Sequence, residues 1–182
     1  MCGFAGFSVN GLPDAETVVG RMGDRIRHRG PDQAASYVDE DIALSFRRLA
    51  IIDLEGGSQP LFNEDKTLVL VYNGEIYNYQ EIRKDLLEKG HTFSTETDSE
   101  VLLHGYEEYG AKGLLDRLRG MYAFVIWDKI EKRLFGARDI FGIKPFYYYK
   151  KGNTFLFGSE IKSFLEHPRF EKELNEERLP DW

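Results

Sequence analysis

Cysteine is almost absent from this sequence: Cys2 is the single one in 182 residues. A lone thiol closes no internal bridge, which fits a reducing compartment and leaves the core to hydrophobic burial. A chain of this length suits one domain and buries roughly 70% of its unfolded surface, so it needs no disulfide. Basic clusters are missing too. With 24 Lys and Arg against 31 Asp and Glu, the formal charge is -7, and nucleic acid is not expected as a partner. No apolar run approaches the ~18 residues of a membrane span. No basic segment leads into a long apolar one at the N-terminus. The expectation is a cytoplasmic protein with no membrane partner. There is no repeat, no G-x-x-x-x-G-K-[ST] and no G-x-G-x-x-G. The histidines stand at 28, 91, 104 and 167 with no paired carboxylate at ligand spacing, so no metal is expected.

What the chain does have is a thiol in an unusual place. Cys2 lies directly behind the initiator methionine. Methionine aminopeptidases remove Met before a small side chain, so the expected mature chain begins with Cys2. That residue would then carry a thiol and an α-amine together, titrating near ~8.5 and ~7.7–8.0. Nucleophile and general base are one residue in such an arrangement. The plainer alternative is a small apolar filler at a terminus.

Gly3–Val9 alternates small and bulky residues and reads as a buried strand. Asp14 to Arg27 predicts a helix capped by Asp14, with Val18, Val19, Met22 and Ile26 as its stripe. Arg29-Gly30-Pro31-Asp32 breaks it. Ala34–Val38 and Ile42–Leu49 predict a hairpin, and alternation sends Arg47 and Arg48 to opposite faces. A charge there is either a solvated edge or an anion clamp. Thr67–Tyr72 reads as a strand buried on both faces. Asn73-Gly74 after it, before a helix over Tyr79–Lys89, predicts a turn that sets an amide and an N–H at the strand's mouth. Such donors suit an oxyanion. Thr97 and Glu100 have capping-box spacing, with Asp98 in the first helical turn. That helix runs to about Tyr109, and a shorter one follows near Leu114–Leu118. Met121–Asp128, Arg133–Asp139, Phe146–Tyr149 and Thr154–Phe157 read as strands, and Ser159 as the cap of a last helix. Strands buried on both faces need covering layers. The fold class expected is α+β, a four-layer αββα sandwich of two mostly antiparallel sheets face to face with helices outside.

Six stretches then fall together: Met1-Cys2-Gly3, Arg29-Gly30-Pro31-Asp32, Arg48 to Asp53, Tyr72-Asn73-Gly74-Glu75-Ile76-Tyr77-Asn78, Thr97-Asp98-Ser99-Glu100, and Ala137-Arg138-Asp139 with Gly142 to Pro145. In this order they resemble the glutaminase domain of class II glutamine amidotransferases, within the N-terminal nucleophile hydrolases. More narrowly they resemble the N-terminal domain of glutamine-hydrolysing asparagine synthetases. The resemblance implies hydrolysis of glutamine to glutamate and ammonia through a Cys2 thioester. It implies that Asn73 and Gly74 hold the oxyanion, and that Arg48 takes the α-carboxylate of glutamine. Asp98, with Glu75, takes the α-ammonium, and Leu49, Ala50, Ile51 and Ile52 line the pocket.

The same resemblance implies a glutaminase domain over 2–168 and a linker stump over 169–182. No cofactor is expected in this domain; ATP and Mg belong to a synthetase domain absent from the sequence, a partner in cis or in trans. Asparagine synthesis by this chain alone is therefore not expected. Homo-oligomer formation stays open. Two alternatives stand beside the enzyme reading: a non-catalytic glutamine-sensing or partner-binding module, and a glutaminase serving a different acceptor.

Overall fold

The structure, a computed structural model, describes residues 1–49 and 58–173. Nine strands are found among these residues, and every recorded pairing is antiparallel. In chain order they are β1 (Gly3–Ser8), β2 (Gln33–Val38), β3 (Ile42–Arg48), β4 (Leu61–Phe62), β5 (Leu68–Ile76), β6 (Gly120–Asp128), β7 (Arg133–Arg138), β8 (Tyr147–Lys151) and β9 (Thr154–Gly158). One sheet runs β2-β3-β1-β9-β8 and the other β4-β5-β6-β7. The helices are α1 (Ala15–Arg25), α2 (Tyr79–Glu88) and α3 (Glu100–Arg117), with short 3-10 turns at Arg27–Arg29 and Ile161–Glu166.

Strand alternation explains the layering. Along β5, Val69 and Val71 join Phe4, Leu44, Phe46 and Phe157 in the cluster between the sheets. Their neighbours Leu68, Leu70 and Tyr72 point the other way, onto Ile82, Leu86 and Val101 of α2 and α3. On the first sheet, Ala5, Phe7 and Ala43 turn outward onto Val18, Val19 and Met22 of α1. Three separate apolar clusters thus hold four layers, helix–sheet–sheet–helix, as the period-2 pattern of strands requires. The expected sandwich is the observed one.

Several local signals resolve differently. Asp14 adopts a left-handed backbone (φ 59) and makes no side-chain cap. α3 starts at Glu100, so Asp98 lies ahead of the helix and no Thr97–Glu100 box forms. The Glu100 carboxylate instead accepts from the N–H and hydroxyl groups of Ser94 and Thr95. The two helices expected, one to about Tyr109 and a shorter one near Leu114–Leu118, are both present within α3, divided by a kink at the non-helical Gly110 (φ 67, ψ 177). Ser159 does not cap the last turn; its hydroxyl accepts from the Phe4 N–H at 3.1 Å, tying β1 to the end of β9.

His167 closes the last turn and sets an acid limit on stability. It is buried, edge-on to Phe7 with ring centroids 4.6 Å apart, and its Nε2 has no hydrogen-bond partner among the described residues. Its Nδ1 accepts from the Arg169 N–H at 3.2 Å. Burial, then the Arg169 charge, lowers its pKa to about 4. The unfolded chain binds this proton near ~6.5 and the folded chain resists it, so the stabilisation is complete above ~6.5 and is lost as pH falls toward 4. The urea midpoint is expected to drop between pH ~6.5 and ~5. His167→Asn, which keeps an acceptor for Arg169, should flatten that limb; an unchanged slope would contradict this account.

Candidate active site

Strand parity assembles the site. Cys2 continues the Phe4 face of β1, Arg48 the Leu44 and Phe46 face of β3, and Asn73 the Val69 and Val71 face of β5. Each faces the gap between the sheets, at its end. Cys2 packs against the inter-sheet cluster. Its Sγ lies 3.4 Å from the Leu49 N–H and 3.7 Å from the Leu49 carbonyl. The thiol is thus held by a backbone peptide at the exit of β3. The Arg29 Nε donates to the Cys2 carbonyl at 3.0 Å while its Nη1 reaches Glu160 at 3.2 Å. Gly30 makes this possible: a Cβ there would stand 2.4 Å from the Arg47 carbonyl carbon.

Arg48 is buried and not without an interaction partner, so the solvated-edge alternative falls. Its neighbour Arg47 turns the other way, to the Gly23 carbonyl and Asp24 on α1. Asn73 and Gly74 do not form the expected turn. β5 continues through them to Ile76 because β6 supplies ladder partners as far as Gly120. Gly74 is needed for close approach rather than for turning: a Cβ would lie 2.4 Å from the Met121 carbonyl oxygen. Asn73 is buried, and among the described residues its Nδ2 has no hydrogen-bond partner. An orphaned buried donor of this kind costs ~1–3 kcal/mol.

Asp98 accepts from the Tyr72 hydroxyl at 2.6 Å and the Ile76 N–H at 2.8 Å, both on Oδ2. Burial pushes its carboxyl above the ordinary aspartate range; the two bonds pull it down and Glu75 adds to the rise. Burial likewise raises the Tyr72 phenol well above its usual value, and Asp98, Glu75 and Cys2 add to the rise. The Tyr72 phenol therefore lies within electrostatic reach of Asp98, Glu75 and Cys2. Glu75 itself is exposed. Of the other expected lining residues, Leu49 is placed at the thiol, and Ala50, Ile51 and Ile52 lie outside the described residues.

One supporting group, Gln59, escapes a sequence reading, while Asp139 and Lys144 belong to the motif of Ala137-Arg138-Asp139 with Gly142 to Pro145. Gln59 is buried and clasps both backbone groups of Tyr72, accepting from its N–H at 2.6 Å and donating to its carbonyl at 3.1 Å. No local pattern marks it. Asp139 accepts from the N–H groups of Tyr122, Ile143 and Lys144, fixing the loop after β7 beside the Gly74 rung. Lys144, buried in that loop, places its Nζ 3.9 Å from the Met1 sulfur. A sheltered thiol, a buried amide donor and an arginine facing one inter-sheet gap, with the Asp98 carboxylate held at the same end of β5 by Tyr72 and Ile76, are the groups needed to bind a zwitterion and carry out acyl transfer.

A family profile described as a glutamine amidotransferase domain matches residues 1–182. The chain belongs to the glutamine amidotransferase domain family. Relatives include glutamine-hydrolysing asparagine synthetase 1 of Bacillus subtilis, 48% identical over 169 residues, covering 91% of this chain and 27% of that protein. A glutamine-hydrolysing asparagine synthetase of Zea mays is 47% identical over 143 residues, 78% of this chain and 24% of its own. This glutamine amidotransferase domain thus spans about a quarter of the curated relatives it matches. Among solved structures, the glutamine phosphoribosylpyrophosphate amidotransferase of B. subtilis superposes with a TM-score of 0.71 at 25% identity, over 90% of this chain and 43% of that one.

Proposed function

We propose that this domain hydrolyses glutamine to glutamate and ammonia with Cys2 as an N-terminal nucleophile, feeding the ammonia to an asparagine synthetase domain. The observation that carries the reading is the buried Asn73 amide donor, partnerless among the described residues, on the face of β5 that turns toward the gap into which the Leu49-held Cys2 thiol also faces. An orphaned donor is a standing cost unless an acceptor arrives with substrate, and a developing oxyanion is such an acceptor. Glutamine enters as a zwitterion. Its carboxylate goes to Arg48, a fork matched to two oxygens. Its ammonium goes to Asp98, with Glu75 beside it.

Removal of Met1 exposes the α-amine. The amine takes the thiol proton as Sγ attacks the side-chain amide carbon. Asn73 Nδ2 and the Gly74 N–H hold the oxyanion. The proton passes to the leaving nitrogen, ammonia departs and a thioester remains. Water then adds with the same amine as base, releasing glutamate and restoring the thiol. With Met1 attached the nitrogen is an amide and no base is present. No resident cofactor enters these steps; ATP and Mg would act in the synthetase domain. The loop held by Asp139 presents Ile140 and Phe141, 92% and 85% exposed, an apolar edge suited to such a partner. No helix among the described residues is long and apolar enough to cross a membrane, and the single thiol fits the reducing cytoplasm.

The test is an intact-mass spectrum after exposure to an electrophilic glutamine analogue. Expected is loss of Met1 and one adduct, mapped to Cys2. A processed chain with no adduct would overturn the enzyme reading in favour of glutamine sensing.

A further inference from the structure

Away from the thiol, three segments distant in sequence converge on the helical side of the second sheet. They are the turn after β4, which carries Glu64, the stretch after α2, which carries His91, and the interior of α3, which carries His104. One side-chain donor atom from each lies within 4.8 Å of the others. We propose that Glu64, His91 and His104 form a binding site for a divalent transition metal of the zinc class.

His104 carries most of the argument. Its side chain is buried, and each ring nitrogen faces carboxylate oxygen. Nε2 lies 3.6 Å from Glu100 and has no hydrogen-bond partner among the described residues. Nδ1 lies 3.2 Å from Glu107 and 3.5 Å from Glu64. A neutral imidazole has one N–H and one lone pair, so one nitrogen would turn a lone pair onto an anion. The position calls for a cation, either a second proton or a metal ion.

The surroundings favour the metal. Glu100 stands behind Nε2, and Ser94 and Thr95 fix its carboxylate. A carboxylate that accepts from one histidine nitrogen orients the ring and leaves the other nitrogen to ligate; Glu100, at 3.6 Å, stands in that direction and would reach Nε2 with a shift of a few tenths of an ångström. On the Nδ1 side, the Thr92 N–H and hydroxyl hold Glu64 at 3.2 Å, and Asn63 holds Glu107 at 2.8 Å. The second imidazole, His91, stands with its ring centroid 5.1 Å from that of His104. Two adjacent imidazolium ions would repel, whereas two neutral imidazoles and a carboxylate are a zinc donor set. Tetrahedral zinc with bonds of ~2.0–2.1 Å separates its ligands by roughly 3.3 Å. The Glu64–His104 pair at 3.5 Å is already close to that. The remaining approach falls to Glu64 and His91, whose side chains are 44% and 17% exposed. Glu107 or water would complete the coordination.

The experiment uses the full chain stripped with a chelator. Zn²⁺ affinity is read by competition with a chromophoric chelator, and Co²⁺ supplies a visible spectrum. Expected are one equivalent of tight Zn²⁺, a tetrahedral Co²⁺ band and a raised thermal midpoint. Glu64→Gln and His91→Ala, both at partly exposed positions, should each weaken Zn²⁺ by at least ~10-fold, with circular dichroism confirming the fold. Cys2→Ala should leave binding intact. A chain that takes up no stoichiometric metal holds only a proton at His104, and the proposal falls. It falls equally if both ligand variants bind as wild type, or if Cys2→Ala abolishes binding.

Discussion

Cys2→Ala is expected to reduce glutamine-dependent ammonia release by at least ~10⁴-fold, with the thermal midpoint changed by no more than ~2 °C. The two readouts separate because the thiol does little for the fold. Among the described residues its polar contacts are the two backbone groups of Leu49, both on the half-buried thiol. Alanine at this position still permits removal of Met1, so the α-amine persists and the thiol alone is deleted. Ammonia release coupled to glutamate formation, checked against the mass of the processed chain, is the measurement. Activity within tenfold of wild type would remove Cys2 from the chemistry, and with it the N-terminal nucleophile mechanism. Wild-type chain that retains Met1 should behave like this variant, for the complementary reason that the base is missing.

Asn73→Ala is expected to lower kcat by ~10²–10³-fold, the usual cost of one oxyanion donor, without a matching loss of stability. A buried asparagine normally leaves its partners unpaired when truncated. Here Nδ2 has no partner among the described residues to abandon. Truncation relieves an unsatisfied donor worth ~1–3 kcal/mol and offsets the small cavity it creates. Denaturant midpoint and kcat measured on one preparation decide it. A variant that loses several kcal/mol of stability would show that the amide is structural. One that keeps full kcat would show that the oxyanion is held elsewhere.

The sequence made the layers legible because their cause is local. Alternation in Leu68–Tyr72 and in Phe4–Phe7 reports two buried faces directly, and those faces dictate helices on both outer sides. The same alternation, extended by two residues, points Cys2, Arg48 and Asn73 at a common gap. What misled were signals with a local and a long-range meaning. Asn73-Gly74 is a turn pair in isolation, but Tyr122 and Ala123 of a strand far along the chain keep it extended. Glu100 sits three residues after Thr97, yet Ser94 and Thr95 offer its carboxylate more donors. The Gln59 clasp on Tyr72 and the meeting of Glu64, His91 and His104 join segments with no shared periodicity, so no pattern within either segment announces them.

The division of the site between two sheets has a mechanical consequence. The thiol rides on β1 of one sheet and the amide on β5 of the other, with Phe4, Val71, Val125 and Phe157 packed between them. In the proposed reaction the core is therefore the ruler that sets the reach from nucleophile to oxyanion donor. Facing sheets lie ~10 Å apart, and the filling decides the last few tenths of an ångström. A methyl removed from Val71 or Val125 would alter turnover without touching glutamine, and hydrostatic compression of the intact domain would shift the rate through that same spacing.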